Sequence, residues 1–150
     1  MTVKDGVPLA PNHEALLADG WKLLETGGFI ELVGPVYFQQ NGEDIRYGFT
    51  TEARHKNRRG VVHGGVLAAF ADRTLAMAGR RVNDDLPQAT IELSVRFIDA
   101  VQVGEFVASV SEVVRKTRSI IFVRGTLTVG SRIVATADGV WKVLASRPSA

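Results

Sequence analysis

The feature that most constrains this chain is a segment of helix-forming residues with apolar side chains on nearly every side. It runs from Gly64 to about Gly79 and consists mainly of alanine, leucine, valine and phenylalanine. A helix without a polar face must be enclosed by the rest of its domain. Asp72 and Arg73 lie in its middle, and a bilayer tolerates such charges poorly. We therefore expect a buried helix in a domain that does not associate with a membrane.

Strand patterns lie on both sides of this helix. Before it, two strand-like runs flank Asn41-Gly42, a strong hairpin signal. After Pro87, apolar residues alternate with polar ones, and three more runs follow, the last two joined by a predicted turn at Gly130-Ser131. The predicted strands cover residues 32–40, 45–51, 91–97, 105–114, 119–129 and 132–143. This order predicts an α+β fold, in which a long antiparallel sheet wraps around one central helix.

The rest of the sequence fits one domain over residues 1–150, with its core over about residues 30–145. Residues 13–26 carry leucine and tryptophan at helical spacing and stop at Gly27-Gly28, which predicts an N-terminal amphipathic helix. A net charge of only +2 argues against nucleic-acid binding. The chain has no cysteine, which excludes disulfides, thiol catalysis and cysteine-ligated zinc, and we expect a cytoplasmic protein.

Gly64 and Gly65 stand where a loop leads into the central helix. The first turn of a helix leaves backbone N–H groups without intrahelical partners and carries partial positive charge. Glycine lets a ligand approach those donors, and such a place can hold a carbonyl oxygen that gains negative charge during attack. A plain helix start with flexible glycines is the alternative interpretation.

Asp72 is the most unusual residue of the helix. It lies among Ala69, Phe70 and Ala71, where a carboxylate without partners is costly to bury. The adjacent Arg73 points to a different face of the helix and is not placed for a local ion pair. A carboxylate held in such surroundings is a candidate general base. A structural pairing with another element is the alternative.

The spacing of these two groups adds a constraint. Asp72 lies eight residues beyond Gly64, which corresponds to about 12 Å along a straight helix. An aspartate side chain cannot bridge that distance to reach the same reacting carbon. If both groups serve one reaction, they come from different chains, which predicts a homodimer with active sites at its interface.

These residues resemble the signature of a known family. Asn57, His63-Gly64-Gly65 and Asp72 are similar to the motif of hotdog-fold acyl-CoA thioesterases, in particular the phenylacetate-pathway (PaaI-like) branch. The resemblance covers about residues 34–144. It implies a hotdog fold, a two-fold dimer with a joined sheet, and commonly a tetramer. The branch that uses glutamate instead of aspartate is not matched.

The resemblance implies site roles at the matching positions. Asp72 matches the carboxylate that acts as general base on water, or as nucleophile through a mixed anhydride. Gly64 matches the glycine whose backbone N–H polarises the thioester carbonyl, and Gly65 lies beside it in the substrate-binding turn. Asn57 matches an amide near the reacting water or thioester. His63 matches a histidine that orients the turn or lies near the departing sulfur, although a hydrogen-bonded loop histidine is the alternative.

Thr90 matches a hydroxyl residue on the following strand that helps to place the water. Strict alternation puts it opposite Ile91, Leu93 and Val95, the predicted helix-facing set. It faces the site only if the strand begins, twists or bulges there, and an ordinary threonine at the start of a strand is the alternative. By the family geometry, Asp72 and Thr90 come from one subunit and the other site residues from its partner.

Two basic segments are candidates for binding the nucleotide and pantetheine arm of coenzyme A. One precedes the glycine turn and the other links two strands; the candidate residues are Arg58, Arg59, Lys116, Arg118 and Ser119. Ordinary solvated charges are the alternative. The sequence shows neither metal-ligand spacing nor a phosphate-loop fingerprint. We therefore expect no metal and no cofactor, since coenzyme A is part of the substrate.

Three functions fit these features to different degrees. The leading hypothesis is hydrolysis of an acyl-CoA thioester to a free acid and CoA, by a homodimer within an expected homotetramer. A non-catalytic acyl-CoA sensor or scaffold is the alternative, although pure binding gains nothing from a buried carboxylate. A hotdog hydratase or dehydratase would need a differently placed histidine. The sequence leaves the acyl group open among aryl, short-chain and medium-chain groups.

Overall fold

The computed structural model describes residues 9–145. In chain order its elements are α1 (His13–Ala18), β1 (Lys22–Leu23), α2 (Ile30–Val33), β2 (Val36–Asn41), β3 (Asp44–Thr50), a 3₁₀ turn (Ala53–His55), α3 (Gly64–Arg80), β4 (Gln88–Phe97), β5 (Phe106–Lys116), β6 (Ile120–Val129) and β7 (Arg132–Val143). None of the described helices is long and apolar enough to cross a membrane.

The strands form one seven-stranded antiparallel sheet in the order β1-β2-β3-β5-β6-β7-β4. Helix α3 packs against β4, β5, β6 and β7. The predicted α+β fold, with a long antiparallel sheet around a central helix, is therefore confirmed. Strand β4 lies at one edge of the sheet. The joined sheet of a dimer stays a prediction.

The core lies between α3 and the concave face of the sheet. The helix contributes Leu67, Phe70, Ala71, Thr74 and Leu75, all of which are buried. They pack against strand residues such as Val107, Ile121, Val123, Leu127 and Trp141. The opposite face of the helix, including Ala69 and Ala76, is only half-buried. Within one chain the predicted enclosure of α3 is thus incomplete.

The N-terminal region differs from the prediction. The helix expected over residues 13–26 ends at Ala18, and Gly20 follows with a φ of +86°, a left-handed conformation that suits glycine. The chain then runs extended, and β1 pairs with β2. Trp21, expected on the helix, is instead buried edge-on against Phe106. Tertiary pairing therefore overrides the local helical pattern.

The first predicted strand also starts later than expected. Leu32 and Val33 belong to the short helix α2, and β2 begins only after Pro35. Proline lacks the N–H that a strand ladder uses, so it marks the boundary. The hairpin at Asn41-Gly42 is confirmed, with Gly42 at a φ of +63°.

A bulge changes which residues of β4 face the helix. The pairing of β4 with β7 shifts between Thr90 and Glu92, and Ile91 is the extra residue. Residues that pair across a sheet lie on the same face, and Thr90 pairs with the buried Trp141. Thr90 therefore shares the helix-facing side with Leu93. The prediction that Ile91 faces the helix is wrong, since this residue is 57% exposed.

Candidate active site

Asp72 lines a concavity of about 710 Å³ along the half-buried face of α3. Its walls come from the helix, from the segment before and within α2, and from the ends of β4 and β7. The lining residues include Phe29, Ile30, Ala69, Arg73, Ala76, Gln88, Thr90 and Trp141. A mid-helix carboxylate thus faces a space large enough for part of a small-molecule substrate.

Thr90 lies directly beside Asp72. Its hydroxyl donates a hydrogen bond of 2.8 Å to Oδ1 of the carboxylate. This contact exists because the bulge at Ile91 turns Thr90 toward the helix. One carboxylate oxygen is thereby fixed, and the other has no donor among the residues that the structure describes.

Gln88 secures the start of β4 against the helix. Its side-chain amide donates to the carbonyl of Ala76 at 2.7 Å and accepts from the amide of Asn83 at 2.9 Å. Gln88 is two residues before Thr90 and lines the same concavity. Sequence reasoning missed it, because no pattern indicates that a strand glutamine will bond to a helix carbonyl.

The two backbone N–H groups of the glycine turn differ in whether they have an acceptor. His63 is the N-cap of α3, and its Nδ1 accepts the N–H of Gly65 at 2.8 Å. Among residues 9–145, no hydrogen-bond acceptor is found for the N–H of Gly64. The free donor at the positive end of the helix is therefore that of Gly64, whereas the N–H of Gly65 is occupied.

Asn57 and Gly64 line a second concavity of about 400 Å³. Oδ1 of Asn57 accepts the backbone N–H of Arg59 at 2.8 Å, and its side-chain NH₂ has no acceptor among residues 9–145. The ring of Phe97 covers Gly64 so closely that an added Cβ would lie 3.2 Å from Cζ of that ring. A side chain at position 64 would therefore press against that ring, so this position suits glycine.

Hydrogen bonds from Arg132 hold one wall of this second concavity in place. Arg132 bonds to the carboxylate of Asp99 at 3.1 Å, the carbonyl of Ala100 at 2.7 Å and both oxygens of Glu105. Asp99 and Ala100 line the concavity. The hydrogen bond from Arg132 holds the pKa of Asp99 below its usual range, so this carboxylate stays charged and paired.

His55 ties the preceding loop to the start of α3. Its Nδ1 accepts the N–H of Glu52, its Nε2 donates to the carbonyl of Leu32, and its own carbonyl accepts the N–H of His63. Burial lowers the pKa of His55, so the ring is held neutral. His55 therefore has a structural role in this loop.

The predicted site residues fall into two groups within one chain. Asp72 and Thr90 meet in the larger concavity, and Asn57 and Gly64 meet in the smaller one, with His63 at its edge. The two groups are separated along α3 by about 12 Å. One chain does not bring the carboxylate and the free N–H to a common point.

The residues predicted to bind coenzyme A do not lie together in one concavity. Arg59 lines the smaller concavity, whereas Arg58, Lys116, Arg118 and Ser119 are exposed outside the two concavities. The carbonyl of Ser119 accepts the N–H of Val143, whose partner on β4 is Gln88. The β5–β6 turn therefore lies at the end of the sheet that carries the Asp72 concavity.

Comparison with known proteins places these features in a family. The sequence model of the thioesterase superfamily matches residues 59–136, which include Gly64, Asp72 and Thr90. PA0474 of Pseudomonas aeruginosa, provisionally named an esterase, is 29% identical over 122 residues, 79% of this chain and 90% of the relative. Mouse (Mus musculus) acyl-coenzyme A thioesterase 13 is 22% identical over 77 residues, 51% of this chain and 55% of the relative.

Solved structures share the same fold. The conserved protein PA5202 from Pseudomonas aeruginosa superposes with a TM-score of 0.73 and 28% identity, covering 79% of this chain and 95% of that one. A mutant of the phenylacetic acid degradation protein PaaI from Thermus thermophilus gives 0.68 and 22%, over 77% and 98% of the chains. BH2602 of Bacillus halodurans, solved with CoA, gives 0.65 and 24%, over 73% and 74%.

The family model covers more than half of the chain, and solved relatives share the fold of a sheet around a central helix. The chain therefore belongs to the thioesterase superfamily, a family of hotdog-fold hydrolases, with PaaI-type proteins among its structural relatives.

Proposed function

We propose that this protein hydrolyses an acyl-CoA thioester to a free carboxylic acid and CoA. The observation that carries the proposal is the half-buried Asp72 at the wall of a concavity, with the hydroxyl of Thr90 bonded to one of its oxygens. Acyl-CoA as the substrate is supported by the name of the mouse relative and by the CoA bound to BH2602.

The free oxygen of Asp72 is suited to act as a general base. It accepts a proton from a water molecule as the water oxygen attacks the thioester carbon. The N–H of Gly64 stabilises the negative charge that develops on the carbonyl oxygen. The C–S bond then breaks, and the departing sulfur leaves as the CoA thiol after taking up a proton. Direct attack by Asp72, with hydrolysis of a mixed anhydride, uses the same two groups.

Two chains are required to complete this arrangement. Asp72 and Thr90 of one subunit would face Asn57, His63 and Gly64 of the other, since a single α3 cannot deliver both groups. The half-buried face of α3 and the exposed apolar residues on the edge strand β4, Ile91 and Phe97, are surfaces that a second copy would cover. Assembly of dimers into a homotetramer stays a prediction.

The proposed reaction uses water, a carboxylate and backbone N–H groups. It therefore requires no metal and no further cofactor, which also stays a prediction. A cytoplasmic location is proposed on the cysteine-free sequence.

The decisive experiment compares the unsubstituted protein with Asp72→Asn in a DTNB assay of thiol release over aryl, short-chain and medium-chain acyl-CoAs. Asparagine keeps the shape and the hydrogen bond from Thr90 but is not a base, so turnover should fall by about 10²–10⁴. Size-exclusion chromatography and circular dichroism serve as folding controls. Near-normal turnover in the variant would remove Asp72 from the mechanism, and tight acyl-CoA binding without thiol release would favour the sensor or scaffold.

A further inference from the structure

We propose that Arg73 selects acyl groups that carry a terminal carboxylate, so that the substrates are CoA monothioesters of dicarboxylic acids. This substrate class presupposes the thioesterase function proposed above and specifies it.

Arg73 lies in the Asp72 concavity and has no hydrogen-bond or ion-pair partner among the described residues. It is half-buried and lines the same space as Asp72 and Thr90. Its Nε is buried with no acceptor, and its guanidinium makes neither a hydrogen bond nor a salt bridge to any residue in the range 9–145. Arg132, in contrast, satisfies acceptors on three residues.

A guanidinium in this position favours an anionic ligand. Removing its Nε–H from water without supplying an acceptor is costly. A carboxylate would restore that bond, because its two oxygens match the planar fork of an arginine. A bound ligand, and not another described residue of the same chain, is then the expected acceptor.

The charge of the whole concavity points in the same direction. A second arginine, Arg80, also lines it, and its one ion pair among the described residues is a long contact of 3.9 Å with the exposed Asp85. Asp72 is the single acidic residue in the lining. Two cations therefore face one anion, and a further negative charge is favourable even while Asp72 is ionised.

The position of Arg73 identifies which part of the substrate it meets. The thioester carbon must lie at Asp72, and Arg73 is the next residue, turned about 100° around the helix axis. With the pantetheine arm extended away from the sulfur at Asp72, the phosphates of CoA lie at its far end, outside this concavity. The anion that meets Arg73 is therefore on the acyl group.

The other walls fit an apolar spacer between the two ends of such an acyl group. Ala69 and Ala76 leave room along the helix, and Phe29 and Ile30 lie among the remaining lining residues. The buried Nε1 of Trp141, in the same lining, is a second donor without an acceptor among the described residues. A short methylene chain with an acidic end matches this combination.

The test compares glutaryl-CoA with 5-methylhexanoyl-CoA, in which an isopropyl group replaces the carboxylate at equal size. Thiol release is measured for the unsubstituted protein, for Arg73→Met and for the matched control Arg124→Met, whose arginine is exposed on the other face of the sheet and pairs with Glu112. We expect the unsubstituted protein and the control to prefer glutaryl-CoA. Arg73→Met should lower kcat/KM for glutaryl-CoA by about 10–100-fold, the value of a charged hydrogen bond, and leave the neutral substrate little changed.

Several outcomes separate this inference from the proposed function. If the unsubstituted protein prefers the neutral thioester, or if Arg73→Met slows both substrates equally, the inference is wrong and the thioesterase function stands. An equal loss together with dissociation of the dimer would assign Arg73 to a subunit contact. If neither substrate nor any other acyl-CoA is hydrolysed, the proposed function itself fails. Retained turnover of the neutral substrate shows that the methionine variant is folded.

Discussion

At the start of α3, two adjacent glycines have different tasks. The N–H of Gly65 is bound by the ring of His63, which caps the helix, and the N–H of Gly64 is left without a partner among the described residues. Helix capping and the proposed polarisation of the substrate carbonyl therefore use different donors. This arrangement gives His63 a role that requires no contact with the substrate.

A pair of substitutions at His63 tests that role. His63→Ala removes the side-chain acceptor and should lower the free energy of unfolding by about 0.5–2 kcal/mol, the usual contribution of an N-cap. His63→Asn supplies an amide oxygen and should recover most of this loss, as measured by urea unfolding. If capping is the whole role, the asparagine variant keeps the kcat of the unsubstituted protein.

The opposite result has an equally clear meaning. If His63 donates to the departing sulfur, both variants should lose activity by about 10²–10⁴, whatever their stability. The kcat of the stable asparagine variant therefore distinguishes a capping residue from a catalytic residue.

At the scale of elements, the contact between α3 and β6 sets how closely this helix packs on the sheet. Gly125 of β6 lies beneath the helix, where an added Cβ would be 2.7 Å from Cδ1 of Leu75 and 3.1 Å from the carbonyl oxygen of Val110. One neighbour of that Cβ is therefore backbone, which cannot rotate away. The helix can rest on the sheet at this depth because the strand has no side chain there.

Gly125→Ala is expected to destabilise the protein by about 1–3 kcal/mol through overpacking. The matched control is Gly27→Ala, since a Cβ at Gly27 meets nothing within 4 Å; its effect should stay within about 0.5 kcal/mol. Both values come from urea unfolding. Equal stabilities for the two variants would show that the sheet yields at Gly125 without cost.

The bulge in β4 changes the face of the sheet on which Thr90 lies. Alternation along the strand predicts that Thr90 points away from the helix, and the observed contact with Asp72 is the opposite. Because Ile91 is one extra residue, the side chains before it point to the opposite face from the one that alternation predicts. The resemblance indicated Thr90, whereas periodicity alone could not locate the bulge.

At the scale of the whole molecule, the two concavities are halves of one proposed site. A mixing experiment tests whether they meet across a dimer. Asp72→Asn and Asn57→Ala each disable a different half, so each variant alone should be nearly inactive. Refolding or co-expressing them together should restore activity, because a mixed dimer carries one site with both halves intact.

Random equimolar pairing makes half of the dimers mixed, each with one working site of two, so about a quarter of full activity is expected. Thiol release by the mixture measures this recovery. A mixture no more active than its components would place both groups in the same chain's site and contradict the dimer. The control is a mixture of Asp72→Asn with itself after the same treatment.

The amino-acid sequence determined the central helix, the strands after it and two candidate residues of α3, one at its start and one in its middle. These features depend on local composition and on periods of two or about 3.6 residues, which are readable without knowing the neighbours. The exclusion of a one-chain site also follows from sequence, since the rise of a helix is constant. Asp72 and Gly64 could thus be selected as candidate site residues from the sequence alone.

The remaining features were decided by tertiary structure. The pairing of β1 with β2, which replaced the second half of the predicted N-terminal helix, depends on a strand that lies elsewhere in the sequence. The occupation of the Gly65 N–H depends on the orientation of the His63 ring. That Nε of Arg73 has no acceptor among residues 9–145 depends on every residue around it, so it becomes visible only when all of them are in place.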